Sequence, residues 1–238
     1  LEDVERRVRP AFDAAGDVVG LLGEAVPGLA ASRYSELAGA APEDVLPALD
    51  LGREAKLQEL LVQAASADLL ASAHDVADGG LAIALAECAM WGGFGARLEL
   101  PVGSAPAVEL FGESPSRVVV TARPERWRRL EALAREHEVP IRRLGHVGGD
   151  RLRIELVGVG ATGAAEERGA DVADELDVAV GRLRHAWESG LPRALGEEPP
   201  GDSQWRPPKG DRVDASWRVP ASARCRSQTF AFTQRGED

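Results

Sequence analysis

The chain has 238 residues, 44% of them hydrophobic and 28% charged, with a formal net charge of −11. That size and balance suit an ordinary soluble core with appendages, packed mainly by Leu, Val and Ala because only five Phe and one Tyr are available. The negative charge excludes a basic nucleic-acid footprint, no apolar run is long enough to span a bilayer, and the charged stretch Leu1 to Pro10 carries no signal-peptide pattern.

In chain order, residues 1–16 read as a connector from an upstream domain into a short buried strand, DVVGLLG, from Asp17 to Gly23. Prolines and glycines between Pro27 and Pro47 then divide the chain into turns and short helical pieces. From Glu54 to Leu70, residues Leu57, Leu60, Leu61, Ala64 and Ala65 recur at helical spacing and predict an amphipathic helix. A strand, LLASAHD, ends at Asp75, and the turn Asp78-Gly79-Gly80 opens an alanine-rich helix to about Met90. Next come a strand at ARLEL, a short helix PAVELF closed by Gly112, and a β-branched strand RVVVTA. Pro124 starts a helix carrying Trp127, Leu130 and Leu133, followed by a strand ending at Val147. Gly148-Gly149-Asp150 reads as a tight turn into a hairpin return, Arg151 to Gly158, and Asp171 to Leu191 as the last helix.

Strands alternating with helices, plus a hairpin, predict an α+β fold with a layered α/β/α arrangement, a mixed sheet flanked by helices. The domain is expected to span residues 17–196. Residues 197–238 are proline-rich without periodicity, and their acidic and basic side chains cancel; a disordered tail is expected there, in which Trp205, Trp217, Phe230 and Phe232 pack against nothing.

Two stretches carry candidate chemistry. In SAHDVADGGLAIALAE, His74 and Asp75 fall at a strand's C-terminal end before a glycine turn into a helix, where free amides and the helix dipole suit phosphate. The plainer alternative makes Asp78 the N-cap, Asp75 a solvated carboxylate and His74 a locally packed ring. In LFGESPSRVVV, Glu113, Ser114, Ser116 and Arg117 crowd before a strand; hydroxyls, an arginine and loop amides suit an anionic oxygen, and the glutamate suits Mg2+. A solvated turn with a surface Arg–Glu pair explains the same letters. His137 and His185 lie on predicted helices without a partner group, and the cysteines Cys88 and Cys225 give neither a disulfide framework nor metal-ligand spacing, pointing to a reducing cytoplasm.

The order of these pieces resembles one family, phosphoribosylformylglycinamidine synthase, the large synthetase subunit of de novo purine biosynthesis. LEDVERRVRPAFDAAGDVVGLLGE looks like the join into its last domain, PALDLGREAKLQELL like the following helix, and SAHDVADGGLAIALAE like its C-terminal motif. LFGESPSRVVV and RLGHVGGDRLRIE continue the match, which covers roughly Leu1 to Gly196. The resemblance implies an ATP-dependent ligase: ATP activates the amide oxygen of formylglycinamide ribonucleotide, and ammonia from a glutaminase subunit displaces phosphate, with a small accessory subunit in the assembly. Mg2+ neutralises the polyphosphate.

Carried onto this chain, the resemblance makes Asp75 a nucleotide contact, Gly112 a backbone contact to ATP, Glu113 a magnesium ligand and Ser116 a contact to the substrate phosphate. It assigns no catalytic residue here, because the family's catalytic histidine and other metal ligands lie in preceding domains. The expectation is therefore a cytoplasmic C-terminal module, inactive without the upstream half of the same enzyme, and the start at Leu1 agrees. Where the family shows a Gly-Gly-Ser-Glu-Tyr run, this chain has Ala30 and Ala31, which should deny the loop positive φ and rearrange it. The rival is a stand-alone binding or interaction module that reuses the fold without ATP chemistry.

Overall fold

The computed structural model describes residues 7–24, 28–38, 46, 48–102, 106–158 and 172–197. In chain order they form β1 (Val18–Leu22), α1 (Arg33–Ala38), α2 (Leu51–Ser66), β2 (Ser72–Asp75), α3 (Gly80–Gly92) and β3 (Ala96–Val102). There follow α4 (Pro106–Phe111), β4 (Val118–Ala122), α5 (Pro124–Glu136), β5 (Ile141–Val147), β6 (Arg151–Gly158), β7 (Val172–Ala179) and α6 (Val180–Ala194). The seven strands make one sheet in the order β2-β4-β1-β5-β3-β6-β7. All neighbours are antiparallel except β3 and β6, so the sheet is mixed, as the alternation of elements predicts.

Strand periodicity sorts the core into two faces. Val19 and Leu21 of β1 join Val119, Leu98, Leu100 and Ile154 beneath α3, whose Leu81, Leu85, Cys88 and Ala89 are buried. Val18 and Leu22 point the other way, with Val118 and Val120, into a cluster closed by Leu57, Leu60 and Ala64 of α2 and Trp127, Leu130 and Ala134 of α5. Helices therefore lie on both faces, the expected α/β/α layering. Trp127 fits over Gly20, where an added Cβ would come 2.4 Å from the indole. Beyond the α2 and α5 layer, β3, β6 and β7 carry ion pairs instead of a helix: Arg97 with Glu155 at 2.6 Å, Arg153 with Asp177 at 2.7 Å, and Arg151 with Asp177 at 2.6 Å. The hydrogen bonds from both arginines hold the Asp177 carboxyl below its usual range, against the opposing effect of its burial.

Two expectations are corrected. The strands either side of Gly148-Gly149 do not form a hairpin, because β3 lies between β5 and β6. The turn instead crosses the start of β3: Gly148 N donates to Gly95 O at 2.8 Å and Gly95 N to Gly149 O at 2.7 Å. Gly95 is needed there, since a Cβ would meet Arg151 O at 2.1 Å. The helix expected over 171–191 is a strand up to Ala179 and a helix only from Val180. Asp177 lies directly opposite Arg153 and pairs diagonally with Arg151, Glu175 pairs diagonally with Arg153, and the intervening Leu176 packs on the core.

Of the stretch read as a connector, the described part packs on the domain. Phe12 is buried with its N–H on Cys88 O at 3.0 Å, and Arg9 O accepts Ala73 N at 3.1 Å. The expected tail, 197–238, lies outside the described residues from 198 onward. Among the described residues, no helix is long and apolar enough to cross a membrane.

Candidate functional site

The antiparallel pairing of β2 with β4 sets Asp75 opposite Val118, so the end of β2 and the start of β4 are level. Val76 N extends the pairing by one bond, to Arg117 O at 2.9 Å. The turn 76–80 and the loop 112–117 therefore lie side by side at one end of the sheet. Gly79 and Gly80 both have positive φ, 83° and 71°, and a Cβ on Gly80 would stand 2.7 Å from the Phe111 carbonyl carbon. Glycine here lets one backbone approach another.

The carboxylate that closes this turn is Glu113, not Asp78. The N-cap of α3 is Gly79, with no side-chain cap from its own turn, and Glu113 Oε1 accepts Gly79 N at 2.8 Å across 34 residues of sequence. The same oxygen accepts Arg33 N, at the start of α1, at 2.7 Å. One half-buried side chain thus ties together the two motifs singled out in the sequence and the loop that precedes α1. Stacking of Tyr34 on Phe111, with ring centroids 4.9 Å apart, adds a second tie. The expectation that Ala30 and Ala31 would deny this loop a positive φ is overturned. Ala31 adopts φ 56°, left-handed despite its methyl group, while Ala30 is buried.

The four predicted site residues are placed as follows. Asp75 is 79% exposed in its side chain, with the His74 ring 3.7 Å away. His74 itself is packed: Nδ1 bonds the Asp75 carbonyl at 2.7 Å, Nε2 is 3.2 Å from Glu87, and the ring stacks on Trp91. Burial pushes the Glu87 carboxyl up from its usual range, opposed by the His74 charge.

Gly112 has both backbone groups engaged, its N–H on Val108 O at 2.9 Å and its carbonyl on Arg117 Nη2. A Cβ there would meet Val108 O at 2.4 Å and Gly28 O at 3.0 Å. Ser116 has φ 59° and donates its hydroxyl to Glu54 Oε2 at 2.6 Å. That bond, with a second from Gln58, holds the Glu54 carboxyl below its usual range. Ser116 also borders a groove of about 310 Å³ with Gly23, Asp50, Arg53, Lys56 and Glu138, which none of Asp75, Gly112 and Glu113 lines.

The structure thus brings Asp75, Gly112 and Glu113 to one pair of loops and turns the Ser116 hydroxyl towards α2. Glu54 goes unrecognised in the sequence, where it reads only as an early helix residue, and Arg117, which reads there as an anion contact, is buried at 2% exposure. The signal for Arg117 was its position directly before a strand that is buried throughout, Val118 to Ala122.

A cation would find only part of a site in this chain. Among the described residues, no three His, Cys, Asp or Glu side chains gather to hold a metal. Both bonds of the Glu113 carboxylate fall on Oε1, so Oε2 is the atom that could serve as one Mg2+ ligand. Magnesium commonly takes one or two carboxylates and completes its shell with phosphates and water, so a single carboxylate fits that use.

The AIR synthase related protein C-terminal domain family matches residues 14–157. The chain is 41% identical over 207 residues to phosphoribosylformylglycinamidine synthase subunit PurL of Thermobifida fusca, covering 83% of this chain and 24% of the relative. It therefore spans about a quarter of the length of the curated relatives it matches. Among solved structures, T. maritima PurL complexed with FGAR superposes with a TM-score of 0.60 at 21% identity, covering 76% of this chain and 30% of that one. The same protein complexed with ATP gives 0.57 at 21% identity, covering 76% and 28%. At that identity these superpositions establish the fold alone. With the family match extending from the end of the connector through β6, this chain belongs to the AIR synthase related proteins, of whose C-terminal domain it has the fold.

Proposed function

We propose that the chain acts as the C-terminal module of a phosphoribosylformylglycinamidine synthase, an ATP-dependent carbon–nitrogen ligase of purine biosynthesis. It supplies one wall of the nucleotide site and is inactive without the rest of the enzyme. The observation that carries this reading is the Gly79 N to Glu113 bond, which joins two motifs far apart in sequence into a single polar rim. The 41% identity to the T. fusca subunit supports the same reading.

In this proposal Asp75, exposed and, among the described residues, at hydrogen-bond distance from no other side chain, contacts the nucleotide. Glu113 gives Oε2 to Mg2+, which supplies charge neutralisation of the polyphosphate. Gly112 acts through the packing of its loop rather than by a hydrogen bond of its own, because its N–H and carbonyl are engaged and Val108 O and Gly28 O fill the space beside its Cα. Ser116 must exchange Glu54 for a phosphate oxygen to contact the substrate, formylglycinamide ribonucleotide. The missing catalytic groups come from the upstream half, and ammonia from a glutaminase subunit, with a small accessory subunit completing a cytoplasmic assembly.

Calorimetric titration of Mg·ATP into the chain tests the reading. Weak binding is expected, reduced about tenfold or more in Asp75→Ala through loss of a charged hydrogen bond. Equal binding by wild type and variant would remove the nucleotide role.

A further inference from the structure

Arg117 is the largest fully buried side chain of the described core, and the site as proposed above gives it no role. Removing a guanidinium from water costs several kcal/mol unless it is well paired. Its bonds go to carbonyls: Nη2 donates to Gly112 O and Nε to Ser114 O at 3.3 Å, while Nη1 has no partner among the described residues. A methionine or leucine would fill the same space without that cost, so packing alone does not explain the residue.

Both carbonyls belong to the loop between α4 and β4, and no peptide bond among the described residues is cis. In a trans peptide the N–H points opposite to the C=O. Drawing the Gly112 carbonyl inward to Arg117 therefore turns the Glu113 N–H away from the guanidinium. The second carbonyl, of Ser114, precedes Pro115, which has no N–H, so holding it inward removes no donor from the loop.

We propose that Arg117 is a positioning residue: its guanidinium fixes the 112–113 peptide so that the Glu113 N–H faces an anionic ligand oxygen while the Glu113 carboxylate reaches Gly79. The ligand class is the nucleotide polyphosphate, and that part of the inference rests on the function proposed above. The loop is also braced from outside, since a Cβ on Gly23 would lie 2.0 Å from Ser116 O. The guanidinium sets the loop's peptide orientation, and the glycine contacts set its place. Lysine cannot substitute, because one ammonium nitrogen does not reproduce a planar fork that reaches two carbonyls.

Arg117→Lys and Arg117→Ala of this chain test the proposal through Mg·ATP affinity, thermal unfolding and amide hydrogen exchange at Gly79. The lysine variant is expected to unfold cooperatively, to bind Mg·ATP about tenfold more weakly, and to exchange Gly79 faster as Glu113 loses its orientation. Free guanidinium ion at millimolar concentration should restore slow exchange and affinity in Arg117→Ala, and methylammonium should not. A folded Arg117→Lys with affinity within about twofold of wild type and unchanged Gly79 exchange overturns the proposal, as does failure of guanidinium to rescue. Should wild type bind no Mg·ATP, the nucleotide reading falls separately. Gly79 exchange and its rescue by guanidinium then decide the positioning role alone.

Discussion

Replacing Glu113 separates its two possible uses, tying loops together and binding a cation. The carboxylate accepts two backbone N–H groups at 2.7 and 2.8 Å. A hydrogen bond to a charged group is worth about 1.5–3 kcal/mol, and the half-buried setting favours the lower end, so the pair contributes about 3 kcal/mol. Glu113→Ala should lose about that much. Glu113→Gln keeps an acceptor but not the charge, and because charge assistance roughly doubles such a bond, it should lose about half. Urea unfolding with an unchanged m-value measures both losses. An alanine variant within about 0.5 kcal/mol of wild type would refute the tie between the loops. The glutamine variant then reports on the cation: folded, yet with Mg2+ no longer strengthening ATP binding, it would assign Oε2 to the metal. Retained Mg2+ dependence would leave Glu113 as a structural tie only.

Two further outcomes are expected elsewhere in the domain. Asp17 is buried with Oδ2 unpartnered among the described residues, and burial, then the charge of Asp13, raises its carboxyl pKa; Glu125 adds to the rise, while the Ala14 amide and Arg123 oppose it. Below the unfolded value of about 3.9 the carboxyl is neutral in both states and its burial costs no charge; as pH rises through the higher folded value, the native state is penalised. Asp17→Asn should therefore raise the melting temperature at neutral pH, by on the order of 1 kcal/mol of stability, with the gain vanishing in acid. A difference independent of pH would contradict that cause. Ala31→Gly should stabilise by roughly 0.5–1 kcal/mol, because a left-handed alanine costs about 1–2 kcal/mol and glycine's extra backbone entropy returns only part of it. Since Ala31 is exposed, its methyl group is no loss to packing, and a variant no more stable than wild type in urea would show that the φ of 56° carries no strain.

What the sequence reveals divides along a physical line. Local periodicity is carried by neighbours in the chain, so β1, β4, α2 and α5 are legible from the spacing of Val, Leu and Trp. Which strand lies beside which is decided by contacts far apart in sequence, and no local pattern announces that β3 separates β5 from β6. The stretch from Val172 to Ala179 is ambiguous in kind, since its apolar residues fit both a strand and a helix. The deciding partners, Arg151 and Arg153, lie on another strand.

The same line runs through the site. Gly79, Gly80 and Gly112 are visible in the sequence as places of close approach, where the local pattern favours a ligand. Gly80 and Gly112 instead make room for the protein's own backbone: Gly80 for Phe111, and Gly112 for Val108 and Gly28. Gly79 takes the left-handed cap and hands its N–H to Glu113. A loop packed this closely against its neighbours has little room to move. It is a rigid rim in which Glu113 and the 112–113 peptide are held by the fold, while the Asp75 carboxylate, 79% exposed, is not. Preorganisation of that kind lowers the ordering cost of binding, and it also makes a single misplaced peptide expensive. The buried charge of Arg117 beneath the loop is then understandable as the cost of holding that peptide in one orientation.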